Sequence, residues 1–337
     1  MVGNSKKNCS RTLLGFTALS FGLLFNADQA HAWGSLGHRT IATIASKIVR
    51  KNGAFWRSNA SNMGKLTNVP DQYWKSGPGA SAEKPTHWFQ IDSYFTKPNQ
   101  FNSFPHDYSE ATDKYSEKSV IVNGTATWRI NQFYSNAVAA LKKNNYLKGL
   151  QMAGAMSHYV GDLSQPLHVS KNYDGQETND PGIHKFFETI NLENADADEL
   201  IADVTDQAKV LLSSPEFEEL RSLNPIDFAF EEVNRSFEDK DSIISADLKL
   251  GRSAKGSAAM LKIAKRRMAD GAASLALLLE KISDDSGLTN DDGGSVDVQI
   301  PKWIAPTYNS KAPKSFYVAS PTEELIKDLS QASDCEI

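Results

Sequence analysis

Residues 158–188 carry five side chains that bind metal ions well: His158, Asp162, His168, His184 and Glu188. His158 and Asp162 stand four apart, and so do His184 and Glu188. Side chains four apart share one face of a helix, so each pair can grip one ion. Imidazole mixed with carboxylate and no thiolate suits zinc engaged in hydrolysis. One such pair would be explained by an amphipathic helix with a buried histidine. Two pairs, plus His168 just after the helix-stopping Pro166, argue for a metal site.

The elements that must hold these side chains read as helices. Gly37 to Val49 presents Ile41, Ile44, Ala45 and Ile48 on one face. Residues 53–106 are rich in Gly, Pro, Ser and Asn and read as a long irregular segment, a length usually tied to function. Residues 108–145 read as one long helix or two, with Trp128, Ile130, Phe133, Val138 and Leu141 as core candidates. The motif helix spans about Leu147 to Asp162, and another helix starts near Pro181. Further helices cover 194–213, with Asn194-Ala195-Asp196 as its capping start, and 225–239. Ser253 to Ile282 reads as a long amphipathic helix built on Met260, Ile263, Met268, Leu275 and Leu278. Convincing alternating strands and internal repeats are absent. The expected fold is all-α, a single mostly helical domain over 33–283 with long irregular loops.

The start of the chain reads as an export signal. Lys6, Lys7 and Arg11 form a basic start, Thr12 to Phe25 is apolar, and Ala30-His31-Ala32 is a small-x-small cleavage site. The apolar run is too short to span a bilayer as a retained helix. Cys9 precedes that run, so a lipid-anchor motif does not fit. Residues 1–32 are expected to be removed, giving a secreted or periplasmic protein that is not an integral membrane protein. Loss of Lys6, Lys7, Arg11 and Asp28 leaves 33 basic and 40 acidic side chains, a formal charge of −7. No basic stripe is visible, which argues against tight binding of duplex DNA. Cys9 leaves with the signal and Cys335 stands alone, so no disulfide framework exists and stability must come from a packed core and metal.

At the other end, residues 284–297 form an acidic, Gly-rich stretch. Its spacing does not meet that of a calcium loop, so it reads as a solvated linker. Residues 298–337 form a C-terminal extension of unassigned role, whose Trp303, Tyr308, Phe316 and Tyr317 are expected to dock on the body. Asn59, Asn123 and Asn234 begin Asn-x-Ser/Thr sites, which matter only in a glycosylating host.

Beyond the signal the histidines are His38, His87, His106, His158, His168 and His184. His38 is the sixth residue after the expected cleavage point. A freed Trp33 amine, with an ordinary pKa near ~7.7–8.0, is a nitrogen ligand once deprotonated, and its carbonyl can close a chelate. Trp33 and His38 could thus form a metal corner that exists only after cleavage. His106, between Pro105 and Asp107 in a polar loop, reads as a surface residue.

Together, Trp33-Gly34-x-x-Gly37-His38, then Asp71 and His87, then His158-x-x-x-Asp162-x-x-x-Pro166-x-His168, then His184-x-x-x-Glu188, resemble the type I zinc nucleases. These are the S1/P1 single-strand nucleases of fungi and plants, which share a superfamily with bacterial zinc-dependent phospholipase C. The resemblance covers roughly Trp33 to Ile282 and implies a cleft holding three Zn2+. By resemblance, Asp71, His87, His158 and Asp162 would hold one zinc, and His168, His184 and Glu188 a second. Trp33, His38 and a bridging Asp162 would hold the third. Zinc can bring the pKa of water toward ~7, so in-line attack on phosphorus needs no protein nucleophile. Asp71 is either the group that accepts or orients the water's proton or a ligand alone.

The chain departs from the family at several positions. Trp74 stands where the nucleases carry an Arg that touches phosphate. Trp88-Phe89-Gln90 puts Gln90 at the Asp that recognises a base. Glu188 replaces their usual Asp, which is the habit of the phospholipases, and Thr189 stands where an Asn often follows. Trp88 and Phe89 could stack a nucleobase or meet a choline headgroup by cation–π attraction, or could be core aromatics. Trp128-Arg129, inside a helix, could bring a cation near phosphate, and by default Arg129 reads as lying on a solvated face. The leading expectation is hydrolysis of single-stranded DNA or RNA, with 3′-nucleotidase activity as a further option. The alternatives are phospholipase C action on phosphatidylcholine-like lipids and a non-catalytic zinc-binding surface protein. No stable protein partner is implied.

Overall fold

The computed structural model describes residues 33–75 and 80–298. The expected export signal and the aromatic residues of the C-terminal extension lie outside the described residues. Every regular element among the described residues is helical, and the expected all-α class holds.

The chain begins with α1 (Gly34–Ile48), whose His38, Ile41, Ala42 and Ala45 turn inward at helical spacing. Next come α2 (Ala54–Ser58) and α3 (Ala60–Leu66). The segment 53–106 is therefore not irregular from its start, as the sequence suggested. Met63 and Leu66 bury one face of α3 against the body, while the intervening Asn62, Gly64 and Lys65 dilute the pattern. A single π-turn follows at Pro70–Trp74, then α4 (Ala80–Glu83) and a 3₁₀ turn at Lys84–His87.

Instead of one or two helices, residues 108–145 form three: α5 (Tyr108–Tyr115), α6 (Glu117–Val122) and α7 (Ala126–Leu141). The breaks fall at Ser116 and Gly124, both with positive φ, 69° and 101°. α8 (Tyr146–Ser164) carries the first pair of expected ligands. Asn145 caps its start by accepting the Lys148 N–H, and Pro166 prevents its continuation. α9 (Ile183–Lys185), a π-turn at Phe186–Ile190 and α10 (Asn191–Glu193) run on from one another.

α11 (Ala197–Leu212) starts at Asp196, whose carboxylate accepts the Glu199 N–H, in line with the capping start read in the sequence. α12 (Pro215–Leu220), α13 (Pro225–Phe237) and α14 (Lys240–Leu250) are shorter. α15 (Ala254–Ser286) has 33 residues and ends at Gly287 in the left-handed conformation. It runs four residues past the Ile282 that its apolar pattern marked.

The acidic segment after it is held rather than free. The Asn59 amide donates to the Gly294 carbonyl and its oxygen accepts the Val296 N–H, while the Tyr146 hydroxyl donates to Asp292. Asn59 is thereby buried, so its acceptor motif is not open to a glycan.

α8 is the axis of the molecule. Residues 152–164 are buried without interruption, the mark of a helix enclosed on all sides. It is packed by α1, α3, α7, α13 and α15. Leu150, Met152, Met156 and Leu163 are fully covered, each contributing about 1.5–3 kcal/mol. No described helix is long and apolar enough to cross a membrane.

Candidate metal centre

Four elements, α1, α8, the π-turn Pro70–Trp74 and the 3₁₀ turn Lys84–His87, bring the first group of ligands together. Gly161 on α8 lets α1 approach so closely that a Cβ there would lie 2.7 Å from His38 Nδ1. The His38 ring stacks on His158, centroids 4.0 Å apart, and its Nε2 reaches to 3.4 Å from Asp162 Oδ1. The other Asp162 oxygen, Oδ2, lies 3.1 Å from His87 Nδ1 and 3.4 Å from His158 Nε2. Asp71 completes the group, with Oδ1 3.4 Å from His158 Nε2 and 3.6 Å from His87 Nδ1. Asp162 therefore shows one oxygen to His38 and the other to the His87–His158 side. The donor atoms of His38, His158 and Asp162, and those of Asp71, His87 and His158, each fall within 4.8 Å of one another.

A third cluster is formed by His168, His184 and Glu188. His168 sits in the 3₁₀ turn Pro166–Val169, and Glu188 in the π-turn that continues α9. His168 Nδ1 lies 2.6 Å from the His87 carbonyl, and His184 Nδ1 lies 3.0 Å from the Tyr173 carbonyl. A carbonyl can only accept, so each Nδ1 carries a proton, and a ring without a second proton offers its Nε2 as a lone pair. Those two lone pairs face each other across 3.1 Å, with Glu188 Oε2 2.9 Å from His184 Nε2. Such an arrangement repels itself unless a cation lies between, and it is the geometry of second-sphere carbonyls aiming ligand imidazoles.

Every one of these side chains is buried, at 5% exposure or less. Asp162 Oδ1, Glu188 Oε1 and both His38 nitrogens have no hydrogen-bond partner. Buried polar atoms are nearly always satisfied. A set left open together, all of them nitrogen or carboxylate donors, fits a divalent cation.

The charges agree. Burial holds the His158 pKa down at about 4, so the ring is neutral and its lone pair is free. Burial alone would raise Glu188, but His184 and His168 outweigh it and bring it to about 2. Asp162 is likewise held well below the usual carboxylate range by His158, His38 and His87 in spite of its burial.

Trp33 is packed at the same place. Its indole N–H faces the Gly161 carbonyl at 2.8 Å and Ser164 Oγ at 3.0 Å, which pins the start of α1 to the end of α8.

The residues expected to contact substrate are placed otherwise. Phe89 is wholly buried, meeting Phe104, Trp128 and Phe230 edge to face. It offers no face to a ligand, so of the two readings open for it the position of Phe89 fits core packing. Trp88 is 6% exposed, with its indole N–H donated to the Val122 carbonyl, and Gln90 is 8% exposed. Arg129 is corrected. It is fully buried, its Nη2 3.0 Å from Glu83 Oε2, and it does not lie on a solvated face. His106 stays outside the centre but is half-buried, bonded to Asp227 at 2.6 Å and stacked on Phe230 at 4.1 Å.

Sequence reading missed Glu83 and Lys75. Lys75 ends the π-turn that carries Asp71, and its Nζ lies 2.9 Å from Asp71 Oδ1. Burial opposes its charge, but Asp71, Asp162 and Glu188 together keep the ammonium protonated. Trp74, which occupies the position of the expected phosphate-contacting Arg, is instead stacked on Phe133. Asp71 and Lys75 at i,i+4 were the only available signal.

The chain is similar to known proteins. The profile of the S1/P1 Nuclease family matches residues 33–284. Nuclease P1 of Penicillium citrinum is 24% identical over 200 residues, covering 55% of this chain and 67% of that protein. Nuclease S1 of Aspergillus oryzae is 25% identical over 193 residues, 52% of this chain and 60% of that one. Among solved structures, the Clostridium perfringens alpha-toxin from an avian strain superposes with a TM-score of 0.47 at 15% identity, covering 75% of this chain and 64% of the toxin. With a family match over most of its length, the chain belongs to the S1/P1 nucleases, hydrolases of phosphodiester bonds.

Proposed function

We propose that this protein is an exported zinc enzyme that cleaves single-stranded DNA or RNA. The observation that carries the metal reading is the pair of bare imidazole nitrogens, His168 Nε2 and His184 Nε2, opposed at 3.1 Å beside Glu188. Family membership supports the phosphodiester substrate. The ligand sets are Asp71, His87, His158 and Asp162 for one ion, and His168, His184 and Glu188 for another. His38, Asp162 and the terminal amine and carbonyl of Trp33 hold a third, once residues 1–32 are removed. The catalytic unit spans 33–283, followed by the acidic segment 284–297 and the extension 298–337.

When bound, zinc supplies Lewis acidity, lowering the pKa of water and offsetting phosphate charge. The chain's own groups do the rest. Asp162, with one oxygen toward each side, holds the two ligand groups at a fixed separation. Asp71, beside His87 and His158, would accept or orient the proton of the attacking water. Lys75 places a protonated ammonium beside it, available to a substrate phosphate oxygen.

One sample decides between substrates. The purified protein is assayed against single-stranded DNA, RNA and phosphatidylcholine vesicles, with chelator and after zinc is restored. Nucleic-acid cleavage lost with chelator and recovered with zinc, with lipid untouched, is the expected result. Lipid turnover without nucleic-acid cleavage would replace this reading with the phospholipase one. Zinc retained without any hydrolysis would leave a binding protein.

A further inference from the structure

Among the buried groups that the chemistry above does not use is Glu83, at the end of α4. We propose that Glu83, clamped by Arg129 and Tyr159, is a positioning residue that sets which nitrogen His87 presents to the metal. This inference rests on the metal-centre reading.

Glu83, Arg129 and Tyr159 are all fully buried. Glu83 Oε2 accepts from Arg129 Nη2 at 3.0 Å, and Oε1 accepts from the Tyr159 hydroxyl at 2.5 Å. The Arg129 guanidinium is itself confined, 4.7 Å from the Phe133 ring centre and bonded to Gln132 at 2.8 Å. A carboxylate held from two sides cannot swing. Its Oε1 faces His87 Nε2 at 3.3 Å, an electrostatic approach that is not aligned as a full hydrogen bond.

Nδ1 faces the other donors of its cluster, Asp162 Oδ2 at 3.1 Å and Asp71 Oδ1 at 3.6 Å, and an ion held among them needs the lone pair of that nitrogen. The proton of the neutral ring is then on Nε2, where the Glu83 carboxylate favours it. His87 thus ligates through Nδ1, the opposite choice to His168 and His184, whose Nδ1 atoms face carbonyls. A carboxylate behind a ligand imidazole also raises its basicity, and losing such a group lowers metal affinity about 10–100-fold.

The consequence reaches further than one ion. The His87 carbonyl accepts from His168 Nδ1 at 2.6 Å. One short turn, Lys84–His87, therefore supplies a ligand to one cluster and aims a ligand of the next. A shift of His87 should weaken both.

Zinc affinity and stoichiometry are measured by competition with a chromophoric chelator, on wild type, Glu83→Gln and Tyr159→Phe, with far-UV circular dichroism as the check on folding. Glu83→Gln should bind zinc about 10–100-fold more weakly, and Tyr159→Phe should weaken it by a smaller factor. Cobalt loaded in place of zinc should show an altered visible spectrum in Glu83→Gln. Affinity within threefold of wild type in a folded Glu83→Gln overturns the proposal. If that variant does not fold, Tyr159→Phe decides, and unchanged affinity there overturns it equally. Wild type that binds no zinc would instead sink the metal-centre reading.

Discussion

Asp162→Asn separates a metal-bridging role from a packing role. Asparagine keeps the shape but offers one neutral oxygen where the carboxylate shows two, one to His38 and one to His87 and His158. Both ion positions that depend on those oxygens should be lost, while His168, His184 and Glu188 keep all their donors. Free zinc held 1,000-fold above a dissociation constant stabilises a folded protein by about 4 kcal/mol for each site. Two lost sites remove about 8 kcal/mol, since each contributes by mass action. For a domain of this size that is a fall in Tm of roughly 16–32 °C. Scanning calorimetry in buffered zinc, with metal counted by atomic emission, reads both quantities. In excess chelator the two proteins should melt within a few degrees of each other. Three ions still bound to Asp162→Asn, or a Tm gap that persists in chelator, would refute the reasoning.

Other perturbations probe the frame around the centre. Arg129→Met leaves the Glu83 carboxylate buried without its guanidinium and should cost about 3–5 kcal/mol in urea unfolding; a loss below about 1 kcal/mol would restore a solvated Arg129. Burial, and then the charge of Asp270, push the Glu232 carboxyl up to about 7 against the pull of Arg235 and Arg267. From the ordinary carboxyl value near ~4.3 up to that pKa the folded state keeps a proton that the unfolded chain has released, so stability falls as pH rises through this window. Glu232→Gln should flatten the fall between pH values of about 5 and 7, and matching urea midpoint slopes in the two proteins would contradict this. Gly124→Ala would set a Cβ 2.0 Å from the Trp88 carbonyl at φ +101°. It should lower stability by at least about 2 kcal/mol, and a neutral result would mean that this turn does not hold Trp88.

The ligands were legible in the chain for a local reason. A helix converts i,i+4 spacing into a shared face, so His158 with Asp162 and His184 with Glu188 declare themselves without any knowledge of the fold. The same periodicity exposed α1, α7, α8, α11, α13 and α15. It failed where helices are too short to repeat, as at α2 and α3, and at α14, which buries Ile243, Ile244 and Asp247 but leaves Leu248 and Leu250 exposed.

Burial of charge was the harder quantity. Arg129 looks solvated in one dimension because nothing near it in the chain is acidic. Its counter-ion, Glu83, is 46 positions away. Lys75 escaped notice because only its pairing with Asp71 at i,i+4 marks it, and its burial appears only in the fold. Phe89 was readable as a stacking or a core aromatic because the residues that enclose it, Phe104, Trp128 and Phe230, come from distant segments. Residue type and short spacing thus carry donor chemistry, since both are local properties. Which nitrogen of each histidine is bare depends on a carbonyl or carboxylate brought from a distant segment, as Tyr173 is to His184 and His87 to His168. That pairing comes into being only when the helices pack around α8.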